Sequence, residues 1–138
     1  MTRKDKDLVL KDLCCRLPYG VKCYIIETND ICILGSVQED GENTLFDFWE
    51  DDKKIQFGYQ FYISEFKPYL FPLSSLTEEQ KTELFDGVVE LELKAINDEI
   101  DHTDALMFEI DWYLKNHIDY RGLIEKGLAI DATGKNIY

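Results

Sequence analysis

The segment VKCYIIETNDICILGSV, residues Val21–Val37, decides the fold. Its two runs, residues 21–27 and 31–37, are rich in Val, Ile and Tyr, which are residue types that favour strands. Thr28, Asn29 and Asp30 stand between the runs, and short polar residues of this kind favour a turn. The segment therefore predicts a β-hairpin.

Further strands are indicated on the C-terminal side of this hairpin. Residues 41–43 and 51–54 have turn-forming compositions and flank a strand-like run at 44–49. Apolar side chains then recur at every second position from Ile55 to Ile63, which is typical of a half-buried strand. Such short turns cannot form the long crossovers of parallel pairs, so we expect an antiparallel sheet of about four strands.

An N-terminal helix is predicted over Asp5–Leu17, because Leu10, Leu13, Cys14 and Leu17 share one helical face. Pro18 and Gly20 end it.

Three helices are predicted in the C-terminal half, after Pro68 and Pro72 interrupt the strand pattern. A long helix begins near Thr77 with the spacing of a capping box. The apolar residues of this helix are expected to cover the sheet. A second helix spans Asp104–Asn116, with its apolar side chains expected to face inward. They are Leu106, Met107, Ile110 and Leu114.

The third C-terminal helix is short and begins at Asp119, a suitable N-cap residue. Gly127 can take the left-handed position that ends a helix. The chain is thus predicted to be a single α+β domain over residues 1–138: an antiparallel sheet of about four strands, an N-terminal helix and about three C-terminal helices.

Charge and composition exclude several classes of protein. The net charge is −13, and residues 1–22 carry +3, which leaves −16 for the rest. Nucleic acids bind mainly through Lys and Arg, so direct DNA or RNA binding is disfavoured. No window is apolar enough to span a membrane, and Met1–Lys6 has no signal-peptide core. We expect a cytoplasmic protein whose four cysteines are reduced and mostly buried.

Catalytic and metal-binding patterns are weak. His102 and His117, each near a carboxylate, are the only histidines. They indicate helix-end residues rather than a metal site: Asp101 or Asp104 caps the second helix, and His117 favours its negative end. Neither Cys14 nor Cys15 has an identifiable base, and buried structural cysteine is expected. We therefore predict no catalytic, cofactor-binding or metal-binding residues, and a protein that is not an enzyme.

Aromatic side chains are the remaining excess, since residues 46–71 contain ten of them. Some are expected to be exposed, and exposed aromatics mark protein interfaces. The candidate interface consists of Trp49, Tyr59, Tyr62 and Phe66. The leading hypothesis is an accessory factor that binds an unknown protein partner. The alternatives are an acidic mimic of nucleic acid that inhibits a host defence or replication protein, and a hydrolase that uses His102 or His117.

Three segments carry a resemblance: Leu17–Lys22, Lys67–Glu79 and Asp119–Ala129. Together they resemble a family of small acidic proteins of gut Bacteroidetes and of their prophages and phages. The similarity touches under a third of the chain, at three places in a fixed order. It implies a cytosolic accessory protein of a mobile element, and it brings no activity and no site residues.

Overall fold

The computed structural model describes residues 1–50 and 56–138, with the backbone alone over residues 56–59. The prediction of an α+β chain is confirmed, whereas the predicted numbers of strands and helices are wrong. The helices are α1 (Arg3–Arg16), α2 (Glu78–Ile96) and α3 (Thr103–Lys115). The strands are β1 (Lys22–Ile25), β2 (Asp30–Asp40), β3 (Asn43–Trp49), β4 (Gln56–Phe61), β5 (Phe66–Pro72), β6 (Ile118–Asp119) and β7 (Ile130–Asp131). Single 3₁₀ turns at Leu17–Tyr19 and Leu73–Ser75 follow α1 and β5.

The predicted β-hairpin is confirmed. β1 and β2 pair antiparallel, with Cys23 opposite Cys32. Asn29 takes a left-handed backbone conformation in the turn, at φ 60°, which asparagine tolerates better than most residues. Its neighbour Asp30 is the first residue of β2. The turn residues recognised in the sequence therefore set the register of the first strand pair.

The sheet has seven strands in the order β4-β3-β2-β1-β5-β6, with β7 also paired to β5. The expected four antiparallel strands are only part of it, because β6 and β7 pair parallel to β5. Pro68 lies inside β5, opposite Cys23 of β1, so proline did not end the sheet. β6 and β7 have two residues each, too few to produce a periodic pattern.

The third C-terminal helix is a wrong prediction, since only turns follow Asp119 before β7. Its end signals nevertheless form as expected. The N–H of Leu128 donates to the carbonyl of Leu123 at 2.9 Å, and that of Gly127 donates to Ile124 at 3.0 Å, which is a Schellman pattern. Gly122 takes a left-handed backbone conformation, at φ 76°, which does not continue into a helix. The Asp119 carboxylate therefore accepts hydrogen bonds from the backbone N–H groups of Leu123 and Ile124 and does not cap a helix.

The core lies between the sheet, α1 and the turns near the C-terminus. Val9 and Leu13 of α1 and Leu123 and Leu128 from the turns contact the buried side chains of the sheet. Phe66 is central, with its ring 5.0 Å from Phe46 and 4.8 Å from Phe48 between centroids. The expectation that α2 covers the sheet is wrong, because Ala95 is its single buried residue.

Candidate functional site

Helices α2 and α3 pack on each other as a pair, here called the helical hairpin, and residues of neither helix belong to the main core cluster. Among the described residues, the main packing partner of α2 is α3. The two helices approach closely at Gly87, where an added Cβ would lie 2.4 Å from the Phe108 ring. Glycine therefore permits the contact that holds the hairpin together.

The two helices of the hairpin differ in how their N-terminal ends are capped. The Thr77 hydroxyl accepts from the N–H of Gln80 at 3.1 Å, and the Gln80 side chain accepts from the N–H of Thr77, completing the predicted capping box. The Asp101 carboxylate accepts from the N–H of Thr103, the first residue of α3, at 2.9 Å. This hydrogen bond lowers the pKa of the Asp101 carboxyl. The predicted capping of α3 by Asp101 or Asp104 is not confirmed, because His102 occupies the N-cap position and makes no side-chain cap.

The hairpin exposes large apolar side chains to solvent. Six of them are 43–69% exposed: Phe85, Leu93 and Ile96 of α2, and Leu106, Met107 and Ile110 of α3. We call these six the hairpin surface. The prediction that Leu106, Met107 and Ile110 face inward is wrong, because α3 buries Ala105 and Trp112 instead, whereas the inward position of Leu114 is confirmed. Six large exposed apolar side chains on one pair of helices make this surface a candidate interaction site.

The hairpin is also strongly acidic. Residues 77–116 contain twelve Asp and Glu side chains and three Lys, a net charge of −9. Two of these lysines are engaged within their own helix, Lys81 with Glu78 at 3.3 Å and Lys94 with Glu90 at 3.5 Å. The exposed apolar side chains of the helical hairpin are therefore surrounded by carboxylates, and few Lys side chains offset this negative charge.

A buried ion network joins α1 to β6, and no local sequence pattern predicted it. Arg16 and Asp12 have fully buried side chains and bond at 2.6 Å from Nε to Oδ2. The Arg16 Nη2 also donates to the carbonyl of Ile118 at 2.7 Å. Arg121 lies 3.3 Å from Asp12 and pairs with it electrostatically, without an aligned hydrogen bond. The network fixes β6 and the start of the C-terminal turns.

His117 lies in a cleft of about 450 Å³, together with residues from the ends of β5, α2 and α3. Its ring stacks on that of Tyr138 at 3.7 Å, and the Tyr138 hydroxyl donates to the carbonyl of Tyr69 at 2.9 Å. Burial, with Arg16 and Lys22 nearby, lowers the pKa of His117 to about 4. The expected charge-dipole role is wrong, because the imidazole is neutral near pH 7. It acts as a packing ring.

The two histidines do not form one site. His102 precedes α3 and His117 follows it, so the thirteen residues of the helix separate them by about 20 Å. Within the described parts of the chain, no group of three or more His, Cys, Asp or Glu side chains could hold a metal ion. Nothing in this arrangement assembles the convergent acid, base and nucleophile of a hydrolase.

The four predicted interface aromatics do not form a continuous surface among the residues that can be placed. Phe66 is a core residue, 2% exposed, because it faces the interior of the sheet with Phe46 and Phe48. Trp49 is half-buried against Gly35, where an added Cβ would lie 2.8 Å from the indole. Tyr62 is 50% exposed, and the Tyr59 side chain lies outside the described residues.

The cysteines are divided between core and surface. Cys23 and Cys32 are buried, as expected, whereas Cys14 and Cys15 are exposed. The core face of α1 consists instead of Val9, Asp12, Leu13 and Arg16, which turns positions 14 and 15 toward solvent. Burial raises the pKa of Cys32 to about 11, so the core thiols are unreactive.

No helix in the described part of the chain has the length and apolar content needed to cross a bilayer. No protein-family model, curated protein or solved structure matches this chain.

Proposed function

We propose that this chain is a non-catalytic accessory protein that binds a protein partner through the hairpin surface. The observation that carries the proposal is the exposure of Phe85, Leu93 and Ile96 on a helix that buries only Ala95. Burying one large apolar side chain contributes about 1.5–3 kcal/mol, so leaving six exposed forgoes a large stabilisation. A partner that covers them recovers it.

The position of the helical hairpin supports a binding role. The six side chains of the hairpin surface lie outside the main core cluster, which is assembled from α1, the sheet and the turns after β6. The helical hairpin is anchored by other residues, since α3 buries Trp112 and Leu114. The exposed side chains can therefore contact another protein without loss of the fold. The resemblance to small proteins of gut Bacteroidetes and their phages suggests the setting: an accessory role in a mobile element.

The proposal is tested by affinity capture with two matched variants. F85S/L93S/I96S removes three apolar side chains from α2. The control, I26S/I31S/L73S, removes three others that are 44–46% exposed elsewhere on the protein. We expect the wild type and the control to retain the same stoichiometric partner from host lysate, and the α2 variant to lose it. Equal retention by all three proteins would reject the hairpin surface as the binding site.

Mimicry of nucleic acid is a second candidate, and the net charge of −9 over residues 77–116 favours it. A nucleic-acid mimic binds its partner through charge, so excess duplex DNA displaces it from that partner at low salt. A partner held by the hairpin surface is instead lost when the α2 substitutions are made, although these leave the charge unchanged. The same capture experiment, repeated with excess duplex DNA, separates the two candidates.

A further inference from the structure

We infer that the partner presents a basic amphipathic helix, with its apolar face on α2 and its Lys or Arg side chains beside the acidic flank of α2. This inference rests on the proposed function and names the chemistry of the partner. It follows from three features of the helical hairpin: the shape of the apolar stripe, the row of carboxylates beside it and the small number of Lys side chains that are not already paired with a carboxylate.

The apolar stripe on α2 runs along the helix axis. Phe85, Val89, Leu93 and Ile96 are spaced by four, four and three residues, which places them on one helical face. The eleven residue-to-residue steps from Phe85 to Ile96 span about 16 Å. A straight stripe of this length matches the apolar face of a second helix, because facing helices share the same spacing of side chains.

A row of carboxylates accompanies the stripe. Glu83, Asp86 and Glu90 are spaced by three and four residues and therefore share a face. Asp86 lies one position beyond Phe85, about 100° round the helix, so the acidic row borders the apolar stripe. All three residues are exposed, and Glu90 is paired with Lys94, which leaves Glu83 and Asp86 as the main sites for a basic partner. A helix seated on the stripe brings its polar flank next to this row, where Lys and Arg are favoured and acids are repelled.

A second copy of this chain does not fit the same surface. Two helical hairpins in contact would bring −9 against −9. Lys81 and Lys94 already pair with Glu78 and Glu90, and Lys115 at the end of α3 is the remaining lysine between residues 77 and 116. Like charges that face one another across an interface oppose binding. The charge therefore selects a basic partner over self-association.

The inference is tested with synthetic labelled peptides of 18 residues, measured by fluorescence anisotropy at about 150 mM salt. The probe is an amphipathic Leu/Lys helix. One control peptide carries Glu in place of every Lys, and another has the Leu/Lys composition with its apolar residues spread around the helix. The protein is tested as wild type, as F85S/L93S/I96S and as E83Q/D86N/E90Q.

We expect the amphipathic Leu/Lys peptide to bind wild-type protein at least tenfold more tightly than either control peptide. Binding should weaken about tenfold in F85S/L93S/I96S, whose charge is unchanged, and severalfold in E83Q/D86N/E90Q. Equal binding to wild type and F85S/L93S/I96S would show attraction by charge alone and overturn the inference. Equally tight binding of the Glu and Lys peptides would also overturn the inference. This second outcome would leave the proposed function intact, since the apolar surface would still bind a helix. Absence of binding by every peptide would reject a helical partner, while lysate capture separately decides the proposed function.

Discussion

Gly87 of α2 lies against the outer edge of the Phe108 ring of α3, so close that a Cβ at position 87 would be 2.4 Å from the ring atom Cζ. This contact sets the separation of the two helices that carry the hairpin surface. Glycine inside a helix is unfavourable by about 1 kcal/mol relative to alanine. Its presence at this position is explained by the packing of the ring.

Gly87→Ala is expected to destabilise the protein despite the better helix propensity of alanine, because the Phe108 ring must move. Overpacking of this kind costs about 1–3 kcal/mol. Urea unfolding measures the loss, and Phe108→Leu should restore part of it in the double variant by removing the ring atoms nearest position 87. An alanine variant more stable than the wild type would show that the ring moves freely and that the helices are not held by this contact.

Arg16→Met is expected to destabilise the fold by about 3 kcal/mol, since removal of one partner leaves the Asp12 carboxylate buried beside Arg121 alone. The control is Lys81→Met, which breaks the exposed pair with Glu78. Exposed pairs contribute about 0–1 kcal/mol, so this control should unfold at nearly the wild-type urea concentration. Equal effects of the two substitutions would contradict a structural role for the buried network.

The stability of the protein should fall as the pH is lowered from 6.5 toward 4. The pKa of His117 drops from its usual 6.5 to about 4 on folding, because burial and the nearby Arg16 and Lys22 disfavour the charged ring. Between these pH values the unfolded chain binds a proton that the folded chain excludes. The stabilisation is therefore complete above pH 6.5 and is lost as the pH falls to 4.

His117→Asn isolates this effect, because asparagine tolerates the φ of 58° at position 117 but does not titrate. Urea unfolding at several pH values should give a shallower slope for the variant between pH 6.5 and 4, whatever its stability at pH 7. Identical slopes for the variant and the wild type would show that His117 titrates normally in the folded protein.

The cysteines should divide into two pairs by reactivity. Cys14 and Cys15 are exposed on α1, whereas Cys23 and Cys32 are buried opposite each other in β1 and β2. Titration with an aromatic disulfide reagent should give two rapid equivalents in the folded protein and four in denaturant. Four rapid equivalents in the folded state would show that the β1–β2 core opens readily.

The sequence predicted best those elements whose signals are local. The β1–β2 hairpin and the Thr77 capping box depend on residues within a few positions of one another, and both are confirmed. The strand β5 was missed because Pro68 and Pro72 usually interrupt strands. The two-residue strands β6 and β7 pair with β5 through contacts distant in sequence, which no periodicity reveals.

The helix predictions failed at two kinds of position: charged residues that are buried, and apolar residues that are exposed. Asp12 and Arg16 occupy the buried face of α1, so a search for apolar residues omitted them and selected Cys14, which is exposed. On α2 and α3 the apolar residues were assigned to the core, because amphipathic helices usually bury their apolar face. The candidate site was consequently placed on the sheet aromatics, and Phe66 is in fact part of the core.

Site-specific photo-crosslinking tests the central claim most directly. A photoreactive phenylalanine analogue replaces Leu93 on α2 or, as the control, Ile26 in the turn after β1; both native side chains are exposed, at 56% and 46%. We expect irradiation in the host cell to give one discrete crosslinked protein from position 93 and none from position 26, and the product to disappear when Phe85 and Ile96 are changed to serine. Crosslinking from position 26 alone, or from neither position, would contradict the assignment of the hairpin surface as the binding site.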